Sequence, residues 1–332
     1  MREHGARVAP APQAAGWPAT WRTALDARTG EGTTIDVHGH LWPEELVDAL
    51  RRRSSVPRLE GWVLHLDGEA PLRLNPDDHD VVVRGSLEPD SRGLSLLSLS
   101  SPLGIESLPT AQAAPLLDAW HAGVARLPEP FAAWASVAGT EPDLQQLKHH
   151  LQTRFVGLQM PATWLATPSL LETHAPTLAV CEAEGRPVFV HPGPAGPQQA
   201  SRLPAWWPSV VAYSTQLQAA WWSWHQVGRS LLPDLRICFA AGAGLAPTHH
   251  ERLVARGGAV GRIDRGVFVE TSSYGRQAID ALTRVLGVDG IVFGSDRPYG
   301  PPVDAEALGL GRAAARAIES TNPRRLLLGG TP

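Results

Sequence analysis

Eight short apolar runs rich in strand-forming residues recur along the chain: 33–37 (TTIDV), 95–100 (SLLSLS), 131–137 (FAAWASV), 155–160 (FVGLQM), 187–191 (PVFVH), 235–240 (LRICFA), 267–272 (VFVETS) and 290–295 (GIVFGS). Helical patterns lie between most of them and after the last, at 43–53, 110–127, 141–153, 168–184, 216–231, 247–256, 275–286 and 304–320. Pro43, Pro142 and Pro168 stand where helices tend to begin, because a first-turn proline gives up no intrahelical N–H. Strand and helix in alternation dictate an α/β fold with a parallel sheet under helices. Spread over residues 33–320, the count suits a closed (β/α)8 TIM barrel better than an open sheet. One segment breaks the rhythm. Residues 59–80 read as a small β-hairpin around Asp67-Gly68, inserted after the first helix. Residues 1–32, rich in Ala, Pro and Gly, form an N-terminal extension, and 33–332 form the barrel.

A chain of 332 residues, 43% hydrophobic and 19% charged, is long enough for one large core. A net charge of -4 offers no basic field, so nucleic acid is excluded as a partner. Cys181 and Cys238 are too few for a disulfide framework or a thiolate metal site, and their apolar surroundings read as burial. The N-terminus lacks the apolar core of a signal peptide, and no stretch reaches 18 apolar residues. A soluble, cytoplasmic protein with no membrane partner is expected. Twelve tryptophans against three tyrosines is an unusual balance. Trp206, Trp207, Trp221, Trp222 and Trp224 cluster, and Trp221 and Trp224 share a helix face. They suit a core or subunit interface, or an aromatic wall for a planar substrate, with Trp222 the candidate for contact.

In a barrel of this type the chemistry sits where the strands end. The first run ends in Asp36-Val37-His38-Gly39-His40, the fifth in His191, and the eighth in Gly294-Ser295-Asp296. Side chains alternate along a strand, so His38 and His40 project to one side. Alone, H-x-H also reads as a polar turn. With His191 and Asp296 at the same rim it makes a site for one divalent metal, zinc first, with manganese, iron or cobalt as alternatives.

These motifs resemble the metal-dependent amidohydrolase superfamily: D-x-H-x-H on strand one, His on strand five, G-S-D-x-P on strand eight. Within it they are similar to the amidohydrolase-related branch that includes aminocarboxymuconate-semialdehyde decarboxylase and aromatic acid decarboxylases. The resemblance runs from about residue 34 to the C-terminal NPRRLLLGG. It implies that His38, His40, His191 and Asp296 hold the metal. It also implies that Asp296 doubles as a proton acceptor and that the protein forms a homodimer. Superfamily members with two metals carry a lysine at the end of strand four; here Leu158-Gln159-Met160 has none, so one metal is expected. By the same resemblance Arg73 and Arg252 grip a substrate carboxylate, the second across a dimer interface. A planar fork suits that task; a surface ion pair is the competing reading for each.

At one place the pattern breaks. Strand six of the branch ends with a histidine before a glycine-rich turn, and that histidine is the usual proton shuttle. This chain reads Phe239-Ala240-Ala241-Gly242-Ala243-Gly244, with alanine in its place. His249 and His250, at the start of the next helix, are candidate replacements, or ordinary solvent-facing residues. After strand seven, Glu270, Ser272 and Tyr274 can present polar groups to a ligand. The expected activity is a metal-dependent enzyme acting on a small-molecule substrate. Hydrolysis by metal-activated water at a small carbonyl-containing molecule comes first, with Asp296 as base. Non-oxidative decarboxylation of an unsaturated or aromatic acid is the alternative. A barrel that keeps its metal or ligand but has lost catalysis comes third.

Overall fold

The computed structural model describes residues 33–87, 93–196, 203–259, 264–300 and 305–329; the expected extension at 1–32 lies outside them. Each of the eight runs overlaps a strand: β1 (Ile35–Gly39), β5 (Leu94–Leu97), β6 (Phe131–Ala133), β7 (Leu158–Pro161), β8 (Val188–His191), β9 (Ile237–Phe239), β10 (Val267–Glu270) and β11 (Ile291–Val292). All are buried along their whole length, as strands covered on both faces must be. They pair in parallel as a three-stranded sheet, β1-β5-β6, and a five-stranded sheet, β7-β8-β9-β10-β11. Hydrogen bonds cross both gaps between the sheets. Val156 donates to Ala133 (3.1 Å) and Gln159 to Ala135 (2.8 Å); Val37 donates to Phe293 (3.0 Å) and Asp296 to His38 (2.7 Å).

Helices return the chain after most strands, and their caps decide where they begin. Thr167 accepts from Leu170 N, with Pro168 at the first helical position. The helix expected to start near Pro142 begins at Leu144, because the Asp143 carboxylate accepts from Gln145 N and Gln146 N. The last expected helix, 304–320, starts at Arg312. Gly309 and Gly311 take left-handed φ of 73° and 86° and hold the preceding segment as turns. Trp221 and Trp224 are buried inside the chain, whereas Trp206 is exposed. Both cysteines are free and buried, and burial pushes both thiols up. No helix among the described residues is long and apolar enough to cross a membrane.

The inserted segment differs from a simple hairpin. Three short antiparallel strands, β2 (Arg58–Glu60), β3 (Val63–His65) and β4 (Leu72–Arg73), form a sheet of their own. Gly61, at φ 60°, makes a first tight turn that sequence patterning missed, and Asp67-Gly68 lies in the second. The segment then folds back over the loop that follows β1. His79 stacks on Trp42 (ring centroids 4.4 Å apart) and Trp62 (5.8 Å), and its Nδ1 accepts from Trp42 N at 3.1 Å. Burial, with Arg84 and His40 nearby, pushes the His79 pKa down to about 3. This imidazole is therefore neutral when folded but takes a proton near pH 6.5 when unfolded. Stability it supports is complete above about pH 6.5 and is lost as pH falls toward 3, at about 1.4 kcal/mol per pH unit. A His79→Gln chain should show a shallower fall, by about one proton, in urea-unfolding free energy between about pH 4.5 and 6. An unchanged slope would assign the acid sensitivity to other groups.

Candidate metal centre

His38 lies within β1, His40 follows it directly, His191 is the last residue of β8, and Asp296 lies just beyond β11. The fold brings the four together: one ligand atom from each lies within 4.8 Å of every other. His38 Nε2 is 3.1 Å from His40 Nε2, and Asp296 Oδ1 is 3.4 Å and 3.1 Å from those nitrogens. Metal–nitrogen bonds of about 2.0–2.1 Å put neighbouring ligands roughly 2.9–3.4 Å apart, so these separations match a single ion.

The hydrogen bonding behind the rings makes the same point. His40 Nδ1 faces the Ser98 carbonyl (2.9 Å), His191 Nδ1 the Pro192 carbonyl (2.8 Å), and His38 Nδ1 the Glu270 carboxylate (3.0 Å). Carbonyls and carboxylates only accept, so each Nδ1 carries a proton; on the neutral His40 and His191 rings Nε2 then presents a lone pair to the shared space, and on His38 Nε2 faces the same space. Burial, together with the neighbouring His38, lowers the pKa of His40 and His191 and keeps both neutral. For His38 burial works the same way, but Asp296 and Glu270 outweigh it and hold the pKa at about 8. Burial opposes charge on Asp296 too, yet the three imidazoles bring it down to about 2. The site is a negative field with lone pairs converging on it, which a divalent cation answers.

Backbone strain is concentrated here. Asp296 sits at φ 54°, a conformation non-glycine residues rarely adopt, and its carbonyl accepts from Tyr299 N and Gly300 N (2.8 Å each). Asp36, two residues before His38, accepts from His38 N (3.0 Å), Ser295 N (3.0 Å) and Ser295 Oγ (2.5 Å), locking β1 to the loop that carries Asp296. At the strand-four position Gln159 is committed elsewhere. Its amide donates to Ser101 Oγ (2.6 Å) and Glu106 Oε1 (3.2 Å).

Where a histidine was missed at strand six, the chain makes a left-handed turn. Ala241, Gly242, Ala243, Gly244 and Leu245 all have φ between 44° and 64°. For the three non-glycine residues this costs roughly 1–2 kcal/mol each. The turn delays the next helix to His250–Ala255. His249 is exposed, and His250 packs on Trp222 and His225 (ring centroids 5.6 Å and 6.1 Å). Among the described residues neither makes a hydrogen bond or ring contact with the four, so the structure does not bring them to the metal centre. Trp222 belongs to the same outer cluster. Arg73 and Arg252 are both exposed. Tyr274 is half-buried against the left-handed turn, hydrogen-bonded to Ser214. Sequence reading missed Arg84, which is buried and donates to the His40 carbonyl (2.5 Å) and the Asp78 carbonyl (3.0 Å). Its signal was a lone cation in an apolar run, VVVRG.

A family model described as amidohydrolase matches residues 35–328. The chain belongs to the amidohydrolase family. As a member of it, the protein is a metal-dependent hydrolase or carboxy-lyase with a site for a divalent metal. None of the curated proteins searched matches. Among solved structures, the chain is similar to IDCase from Metarhizium anisopliae in its apo form. The TM-score is 0.72 at 18% identity, over 90% of this chain and 98% of that one. It is similar to 2,6-dihydroxybenzoate decarboxylase from Rhizobium (TM-score 0.61, 19% identity, 90% and 99% covered). A third is 5-carboxyvanillate decarboxylase from Novosphingobium aromaticivorans, solved with manganese (TM-score 0.64, 17% identity, 89% and 97% covered). At these identities the amidohydrolase relatives attest a shared fold.

Proposed function

We propose that this amidohydrolase is a non-oxidative decarboxylase of an aromatic acid with a hydroxyl beside its carboxylate. The observation that carries the reading is a complete His38/His40/His191/Asp296 set in a fold matched, over about nine tenths of the chain, by decarboxylases of such acids. Hydrolysis, which the sequence put first, takes second place. The reading treats residues 33–332 as one (β/α)8 barrel, supported by the hydrogen bonds across both gaps, with 1–32 as an extension and the β2-β3-β4 unit as an insertion.

Nε2 of the three histidines and Oδ1 of Asp296 would hold one ion; three imidazoles and a carboxylate suit zinc and manganese alike. When bound, such an ion supplies Lewis acidity toward a substrate oxygen. The Asp296 carboxylate can take the proton of the substrate's hydroxyl. It returns that proton to the ring carbon, which keeps the bonding pair as CO2 leaves. One carbon–carbon bond breaks, one carbon–hydrogen bond forms, and no water or oxidant is consumed. Arg252, exposed on its short helix, would serve a second subunit in this reading, which includes a cytoplasmic homodimer.

The test is to incubate metal-loaded protein in 18O-water with 2,6-dihydroxybenzoate, 5-carboxyvanillate and a panel of aryl esters and amides. The expected outcome is CO2 in step with the decarboxylated arene and no label in product. Label uptake without CO2 would replace this reading with hydrolysis.

A further inference from the structure

Glu270 ends β10 with a fully buried side chain that touches four strand ends at once. Its Oε1 is 3.0 Å from His38 Nδ1 and accepts from Ala241 N (2.5 Å) and Ser272 Oγ (2.7 Å). Its Oε2 accepts from Ser272 N. On the strand-eight side the chain leaves room for it: a Cβ at Gly294 would lie 2.4 Å from Oε2 and 2.8 Å from Cδ. A buried carboxylate is costly unless its lone pairs are satisfied and positive charge lies near. The backbone and hydroxyl donors satisfy the first need, and a metal held by His38 would meet the second. The N–H of Ala241 opens the left-handed turn, so one carboxylate grips a candidate metal ligand and the turn where the branch's histidine would stand.

We infer that Glu270 is a positioning residue of the metal centre. It fixes the His38 ring with Nε2 toward the other ligands and ties that ring to the Ala241–Leu245 turn, so that metal retention and turn order are coupled. The inference rests on the metal-site reading above. It does not depend on which reaction the site performs.

The experiment uses the full chain and zinc alone as probe. The zinc dissociation constant is measured by chelator competition in the parent and in Glu270→Gln, with the melting temperature of each metal-free form alongside. Zinc binding 10–100-fold weaker in the variant, with metal-free melting unchanged, is the expected result. Equal affinities, or a loss matched by metal-free unfolding, would overturn the proposal. Amide hydrogen exchange at Ala241 in the unmutated protein gives an arm that needs no substitution. Zinc should slow it, and an unchanged rate would overturn the coupling even if the variant did not fold. Absence of zinc binding by the parent would instead sink the metal-site reading itself.

Discussion

Asp296→Ala should yield a folded chain whose metal affinity has fallen more than a hundredfold, beyond the 10–100-fold typical of losing an outer hydrogen-bond partner. Three features make the effect large. Asp296 is the one carboxylate among the four candidate ligands, so its removal would strip them of the charge that answers a dication. It is also what holds His38 near pKa 8, with Glu270 as the second contributor. The fold should tolerate the change, because alanine keeps the backbone bonds of residue 296 to His38, Tyr299 and Gly300. Elemental analysis of variant and parent, purified side by side without chelator, checks it. The parent should carry about one ion per chain and the variant almost none. Equal content in both would mean that the ion is held elsewhere.

Ala241→His should raise the rate of CO2 release by 10²–10⁴, the range that general acid–base catalysis contributes. The exchange asks little of the backbone. Residue 241 already has a Cβ at φ 44°, and histidine is among the residues enriched in that region. The N–H bonded to Glu270 is retained, and the position is only half-buried. If the parent is slow because its strand-six imidazole is absent, supplying one should show in kcat at constant metal content. A variant that folds, loads metal and turns over no faster would mean that Asp296 alone moves the proton in this site.

The four residues of the candidate metal centre were legible in the sequence because each closes a strand run or its immediate turn, and parallel strands of this fold bring those ends together. His38 and His191 are far apart in sequence, yet the C-terminal ends of β1 and β8 deliver them to the same place. The strands were legible for a related reason: fully buried strands leave continuous apolar runs, with Gly and Pro marking their ends. What could not be read depends on direction in space. A run of Ala and Gly at 241–244 announces a tight turn but not its hand. Here Glu270 catches Ala241 N and the Ser214 backbone crowds Gly244, with the Ser214 carbonyl oxygen 2.5 Å from an added Cβ. That turn delays the following helix, which is why His249 and His250, near the rim in sequence, are not part of the site. Hydrolysis was put first because the missing strand-six histidine, visible in the sequence as Ala241, removes the branch's usual proton shuttle.

The inserted segment has a consequence for anyone wishing to move this pocket onto another scaffold. Arg84 and His79 hold the loop after β1 through the carbonyl of residue 40 and the N–H of residue 42, so they act on the path of the main chain whatever side chains are grafted there. The smallest transplantable unit is therefore the strand-one loop together with residues 58–87. A graft of the histidines alone would arrive without the brace that sets their spacing.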